Sequence, residues 1–155
     1  MKIQWKRLAI CLALPLAVGG LSGWLTAGKS QAVYQALQAP PLSPPGWVYA
    51  VVWPVLYVLM GIALYRATSG DRRRDGPAVA LFVAQLLVNF LWPLLFFLAL
   101  RLGWAAVVAV LLAALVIATC ACFFRRDKWA GWLLVPYALW SAFAAYLSVG
   151  FWFLN

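Results

Sequence analysis

Ala39-Pro40-Pro41-Leu42-Ser43-Pro44-Pro45-Gly46-Trp47-Val48-Tyr49-Ala50-Val51-Val52-Trp53-Pro54-Val55-Leu56-Tyr57 passes from a stiff proline ladder into a long apolar run. The prolines at positions 40, 41, 44 and 45 exclude a helix there, because each lacks an N–H and restricts the residue before it. Pro44-Pro45 stands where a helix can begin, since the first turn has spare N–H groups in any case. From Trp47 the chain stays apolar as far as Ala67, about the 20 residues that cross a bilayer. Trp53 and Tyr57 lie one turn apart on one face of that helix. The stretch predicts a rigid cover leading into an aromatic-faced membrane helix, which is one wall of a binding site.

The same apolar pattern recurs along the chain. Of 155 residues, 67% are hydrophobic and only 10% charged, well outside the usage of soluble domains. Five runs are long enough to span: about 8–27, 47–67, 78–100, 103–124 and 131–154. The expected fold is an all-α polytopic membrane protein, one five-helix transmembrane bundle over residues 1–155. The first run follows a basic start and so resembles a signal peptide. Its apolar part is longer than the usual 7–15-residue core of such peptides, so it is read as a genuine span. Only the first loop, roughly 28–46, is long, so successive helices are expected to be antiparallel and closely packed. Small-residue stripes offer close contacts within one chain or between two: Gly19 and Gly23, Ala80 and Ala84, and Ala105, Ala109 and Ala113.

The net charge of +9 sits in the gaps between spans, which is the distribution of membrane topology and not of a nucleic-acid surface. All but two of the twelve Lys and Arg residues fall on one side: Lys2, Lys6, Arg7, Arg66, Arg72, Arg73, Arg74, Arg125, Arg126 and Lys128. The other side has Lys29 and Arg101. The positive-inside rule therefore places the N-terminus in the cytoplasm and the first loop and C-terminus outside.

Conventional chemistry is poorly supplied. There is no His and no Glu, and Asp71, Asp75 and Asp127 all lie in the basic gaps. Ser141 and Ser148 have no base at comparable depth, so acid–base or nucleophilic catalysis is not expected. No acid lies within a span, which disfavours ion-coupled transport. Cys11, Cys120 and Cys122 sit in apolar runs, match no zinc or redox spacing and read as buried spectators, so no metal is expected. What remains is binding, or redox or photochemistry on a bound ligand.

Most of the ten tryptophans lie near helix ends, where aromatic belts form: Trp5, Trp24, Trp47, Trp104, Trp129, Trp132 and Trp152. Trp53, Trp92 and Trp140 do not. From the rise per residue they lie about 9, 12 and 20 Å below the loop side, with Tyr57 and Asn89 at about 15–17 Å. Gln85, Asn89, Trp92 and Phe96 share one face of the third span. Pro136, Tyr137, Trp140, Ala144 and Leu147 occupy a broad face of the fifth. Any one of these residues is as well explained by interhelical packing and hydrogen bonding. Jointly, amides and rings at one depth beneath a stiff loop suit a flat aromatic ligand, stacked on tryptophan and oriented by a few polar groups. Lys29 is the one cation of that loop and can meet an acidic substituent.

At this point the chain resembles the TspO/MBR family, which groups tryptophan-rich sensory proteins with translocator protein. The matching motifs are Pro40-x-x-x-Pro44-Pro45-x-x-Val48 running on to Trp53, Gln85-x-x-x-Asn89-x-x-Trp92 with Phe96-Phe97, Trp129-Ala130-Gly131, Val135-Pro136-Tyr137-x-x-Trp140 and the final Leu154-Asn155. The resemblance implies a five-helix bundle, often a homodimer, that acts as a receptor or sensor for porphyrins such as protoporphyrin IX and requires no cofactor. It implies a pocket lined by Tyr34, Pro44, Trp53, Tyr57, Asn89, Trp92, Trp140, Ala144 and Leu147, to which the reading above adds Gln85 and Tyr137. It also implies two alternatives: light- or oxygen-dependent porphyrin degradation with Trp53 and Trp140 as the catalytic residues, and transport of the porphyrin or another small hydrophobic ligand. The expected location is a bacterial cell membrane. The chain departs from the family pattern at Val33, Leu42 and Ser148, where other members often carry Trp, an aromatic and Asn. The cholesterol-recognition pattern needs Lys or Arg after the fifth-helix tyrosine; none follows Tyr146, so cholesterol is not carried over.

Overall fold

The computed structural model describes residues 2–155 and contains only helices and connections among them. Five helices are long and apolar enough to cross a membrane. They are α1 (Trp5–Thr26), α3 (Gly46–Ala67), α4 (Arg72–Pro93, continued by a π-helical turn Leu94–Leu98), α5 (Leu102–Arg126) and α6 (Lys128–Leu154). Helices suit this environment because every backbone N–H and C=O is satisfied within its own segment. A short sixth helix, α2 (Ser30–Ala36), lies in the first loop.

The contacts close a ring. α1 packs on α3, α3 on α6, α6 on α5, α5 on α4, and α4 returns to α1. Near the middle Met60, Phe82, Phe123, Leu134 and Tyr137 are fully buried, with Phe82 stacked on Phe123 at 6.2 Å. Two glycines set the spacing of α1 and α3. A Cβ on Gly61 would lie 2.7 Å from the Leu12 Cα, and one on Gly19 would meet the Tyr57 ring. Ala105, Ala109 and Ala113 are buried inside the chain. Gly23 and Ala80 are exposed, and a Cβ on Gly23 would meet nothing, so those two make no close contact here.

The helices begin earlier than hydropathy predicts. α4 starts at Arg72 rather than near 78, because the Asp71 side chain accepts from the Arg73 N–H at 3.0 Å and caps it. α6 starts at Lys128 rather than 131, capped by Asp127 through the Trp129 and Ala130 N–H groups. Charged residues in a first turn end an apolar run without ending a helix. The long first loop, roughly 28–46, is not irregular throughout. Ser30–Ala36 is helical, a stretch with neither Gly nor Pro. Pro45 does stand just ahead of α3, with extended backbone, as the proline ladder predicted.

Candidate functional site

α3, α4 and α6 meet beneath the first loop, and their facing side chains form a polar chain inside an aromatic shell. The Tyr57 hydroxyl donates to Asn89 Oδ1 at 3.1 Å. Asn89 Nδ2 donates to the Tyr137 hydroxyl at 2.8 Å, and that hydroxyl donates to Gln85 Oε1 at 2.6 Å. All four residues are buried. The third-span spacing that put Gln85 and Asn89 on one face therefore aims both amides at partners from α3 and α6. Three donors beside the chain, Gln85 Nε2, Trp140 Nε1 and Ser141 Oγ, are buried with no partner among the described residues. Such groups are rare in folded proteins and cost stability wherever they persist.

The rings surround this chain. Trp53 stacks on Tyr57 at 5.7 Å, and meets Tyr137 at 6.4 Å and Trp140 at 6.5 Å edge to face. Tyr49 meets Trp140 at 5.9 Å and Tyr34 at 5.6 Å. From Tyr34 the line of rings continues through Phe151 and Phe96 to Trp92. Leu147 is buried in this second cluster, and Ala144 is half-buried one turn beyond Trp140. The structure thus gathers the sequence-derived residues in two adjoining groups. Trp53, Tyr57, Gln85, Asn89, Tyr137 and Trp140 form one. Tyr34, Trp92 and Leu147 lie in the other, under α2. Tyr34, Tyr49 and Trp140 join the two groups through ring contacts.

Tyr49 joins the two groups and was missed. Its signal was legible: Tyr49, Trp53 and Tyr57 follow at four-residue intervals on one face of α3. Ser148 has a use that its place as a departure from the family pattern concealed, since its hydroxyl accepts from Trp92 Nε1 at 3.1 Å. The seven tryptophans assigned to the membrane interface are all exposed, whereas Trp53, Trp92 and Trp140 are half-buried.

The loop is fastened over the cluster. The Tyr34 hydroxyl donates to the Pro44 carbonyl at 2.5 Å, which ties α2 to the proline ladder. Within the ladder Ser43 N–H bonds the Pro40 carbonyl, and Leu42 takes φ +70°, a turn position that favours glycine. The end of α6 grips the loop from the other side. The Gln38 N–H donates to Asn155 Oδ1 and Asn155 Nδ2 donates to the Gln38 carbonyl, both at 3.0 Å. The Tyr146 hydroxyl donates to the Pro41 carbonyl at 2.8 Å. Gly150 lets Pro40 lie against α6, where a Cβ would come within 2.6 Å of the proline ring. Lys29 is exposed at the start of α2.

The TspO/MBR family profile matches residues 11–153. The chain belongs to the TspO/MBR family. It is 36% identical over 151 residues to Tryptophan-rich protein TspO of Chlorobaculum tepidum, covering 96% of this chain and 95% of that one. It is 36% identical over 152 residues to Tryptophan-rich sensory protein of Cereibacter sphaeroides, covering 96% and 90%. It is 34% identical over 142 residues to Translocator protein of Bos taurus, covering 90% and 84%. The family assignment and the five apolar helices together make this an integral membrane protein. In this TspO/MBR chain the motif residues Pro44, Trp53, Gln85, Asn89, Trp92, Tyr137 and Trp140 all lie in or on the cluster beneath the first loop.

Proposed function

We propose that this protein is a membrane receptor that binds porphyrin-type tetrapyrroles in the cluster beneath the first loop. The observation that carries the reading is the pairing of Trp53 and Trp140, edge to face at 6.5 Å, with the unpartnered donors Trp140 Nε1 and Gln85 Nε2 beside them. A flat macrocycle offers large faces for stacking and ring nitrogens or carboxylates for such donors. On this reading the macrocycle lies against the Trp53 and Trp140 rings with the first loop over it. Names given to relatives, sensory protein and translocator protein, support a role in sensing or moving a small ligand. On this reading the chain works as a homodimer in a bacterial membrane, with its N-terminus cytoplasmic and the loop outside, following the positive-inside rule.

The test is a titration of the purified protein with protoporphyrin IX in the dark, followed by its main absorption band and by tryptophan quenching. Saturation at one porphyrin per chain, with a stable spectrum, is the expected result. Failure to saturate contradicts the reading. A second reading makes Trp53 and Trp140 electron donors in a light- or oxygen-dependent porphyrin breakdown. It is favoured by the tyrosines in ring contact with both, which can refill an oxidised tryptophan. It predicts irreversible bleaching under light that Trp53→Phe or Trp140→Phe abolishes. Porphyrin flux in proteoliposomes would instead favour a transporter.

A further inference from the structure

We propose a second binding site at the opposite end of the bundle: a groove between α4 and α5 that holds one anionic phospholipid. The groove has a volume of about 550 Å³ and is lined by Leu81, Ala118, Ala121, Cys122, Arg125 and Arg126. That volume lies within the range of small-molecule sites, about 300–1,000 Å³. Its floor is apolar because Ala118 and Ala121 are too small to fill the gap that Leu81 leaves between the two helices. Its rim is cationic. Arg125 is exposed and makes no hydrogen bond or ion pair among the described residues. Arg74 lies two turns before Leu81 on the same face of α4, outside the lining of the groove, and adds to the positive charge of this end.

Two of the acidic residues are already paired with other arginines, and the third, Asp71, makes no ion pair among the described residues. Asp75 is buried, accepts from the Ser69 and Gly70 N–H groups at 2.8 and 2.7 Å, and pairs with Arg126 at 3.2 Å. Arg126 is consumed in turn, donating also to the Ala67 and Arg74 carbonyls. Asp127 pairs with Arg66 at 3.1 Å and caps α6, and Asp71 caps α4. These are the only three acids in the chain. The unpaired Arg125 guanidinium therefore sits at the mouth of an apolar trough on a membrane helix pair, beside the Asp75-paired Arg126. The complementary molecule has a negative head at the interface and a hydrocarbon tail below it. A soluble anion would leave the trough empty, and a zwitterionic lipid, whose phosphate can also meet an arginine, would bring its own cation to a rim that is already positive. This matches the general use of basic pockets between transmembrane helices as anionic-headgroup sites.

The test is native mass spectrometry of the full chain released from nanodiscs that contain phosphatidylglycerol and phosphatidylcholine with identical acyl chains. Wild type is expected to retain one phosphatidylglycerol in preference to phosphatidylcholine. Arg125→Gln should lower that retention about fivefold, the weight of one basic side chain at an anionic surface. Ala121→Phe fills the trough without changing charge and should lower it as well. Lys6→Gln removes a cation at the same end outside the groove and should leave it unchanged. Equal retention of the two lipids by wild type overturns the site. So does an equal loss from Lys6→Gln, which would mean diffuse charge, or an Ala121→Phe variant that retains lipid as wild type does.

Discussion

Tyr137 both accepts from Asn89 and donates to Gln85, whereas Tyr57 makes a single bond, to Asn89. The two tyrosines should therefore respond differently to loss of the hydroxyl. Tyr137→Phe strands the Gln85 carbonyl oxygen and one Asn89 N–H, both buried among three helices. The expected loss is about 1–2 kcal/mol, the scale of interhelical hydrogen bonds in membranes and of stranded buried groups. Tyr57→Phe strands only the Asn89 carbonyl oxygen and should cost about half as much. Reversible unfolding in mixed micelles, with both variants beside wild type, checks the order. Equal losses would mean that the chain of bonds does not act as drawn.

At the scale of elements, α1 is held to α3 by the absence of side chains. Gly61→Ala drives a Cβ into the Leu12 backbone, which cannot step aside as a flexible side chain would. Gly20→Ala puts the same methyl into open space on the same pair of helices. The first substitution should lower the thermal midpoint by several degrees for a loss of about 1–3 kcal/mol, and the second should leave it unchanged or slightly raised. The fastening of the first loop makes a separate prediction. Asn155→Ala removes both bonds to Gln38, and amide exchange around Gln38 should then quicken markedly with the midpoint unmoved. Unaltered exchange would show that Pro40 against Gly150 and Tyr146 against Pro41 hold the loop without Asn155.

At the scale of the whole molecule, the spans were readable because a bilayer imposes a length on every helix that crosses it. The separation of interfacial from interior tryptophans was readable for the same reason, and the structure keeps it residue by residue. Helix starts were not, because Asp71 and Asp127 act through caps that hydropathy ignores. Tyr49 is less visible because it lies in the first turn of α3, where aromatic residues also serve the membrane interface, although the four-residue rhythm of α3 includes it. The packing of the cluster was out of reach: spacing places Trp140 and Trp53 on facing helices but does not say that their rings touch. Nor does spacing show that Asp75 takes up Arg126 and leaves Arg125 free. Both facts depend on the closed ring of helices, in which α4 and α6 reach partners far away in sequence.

The central claim is that the cluster beneath the loop is where the porphyrin sits. Ala144 and Ala142 share helix α6, yet Ala144 is half-buried one turn beyond Trp140 and Ala142 is exposed. The most direct measurement is a dark protoporphyrin IX titration of Ala144→Phe beside Ala142→Phe, which keeps every tryptophan in place. The account predicts that Ala144→Phe weakens binding at least about tenfold, some 1.4 kcal/mol, while Ala142→Phe binds as wild type. Binding unchanged in Ala144→Phe, or weakened equally in both, would contradict it.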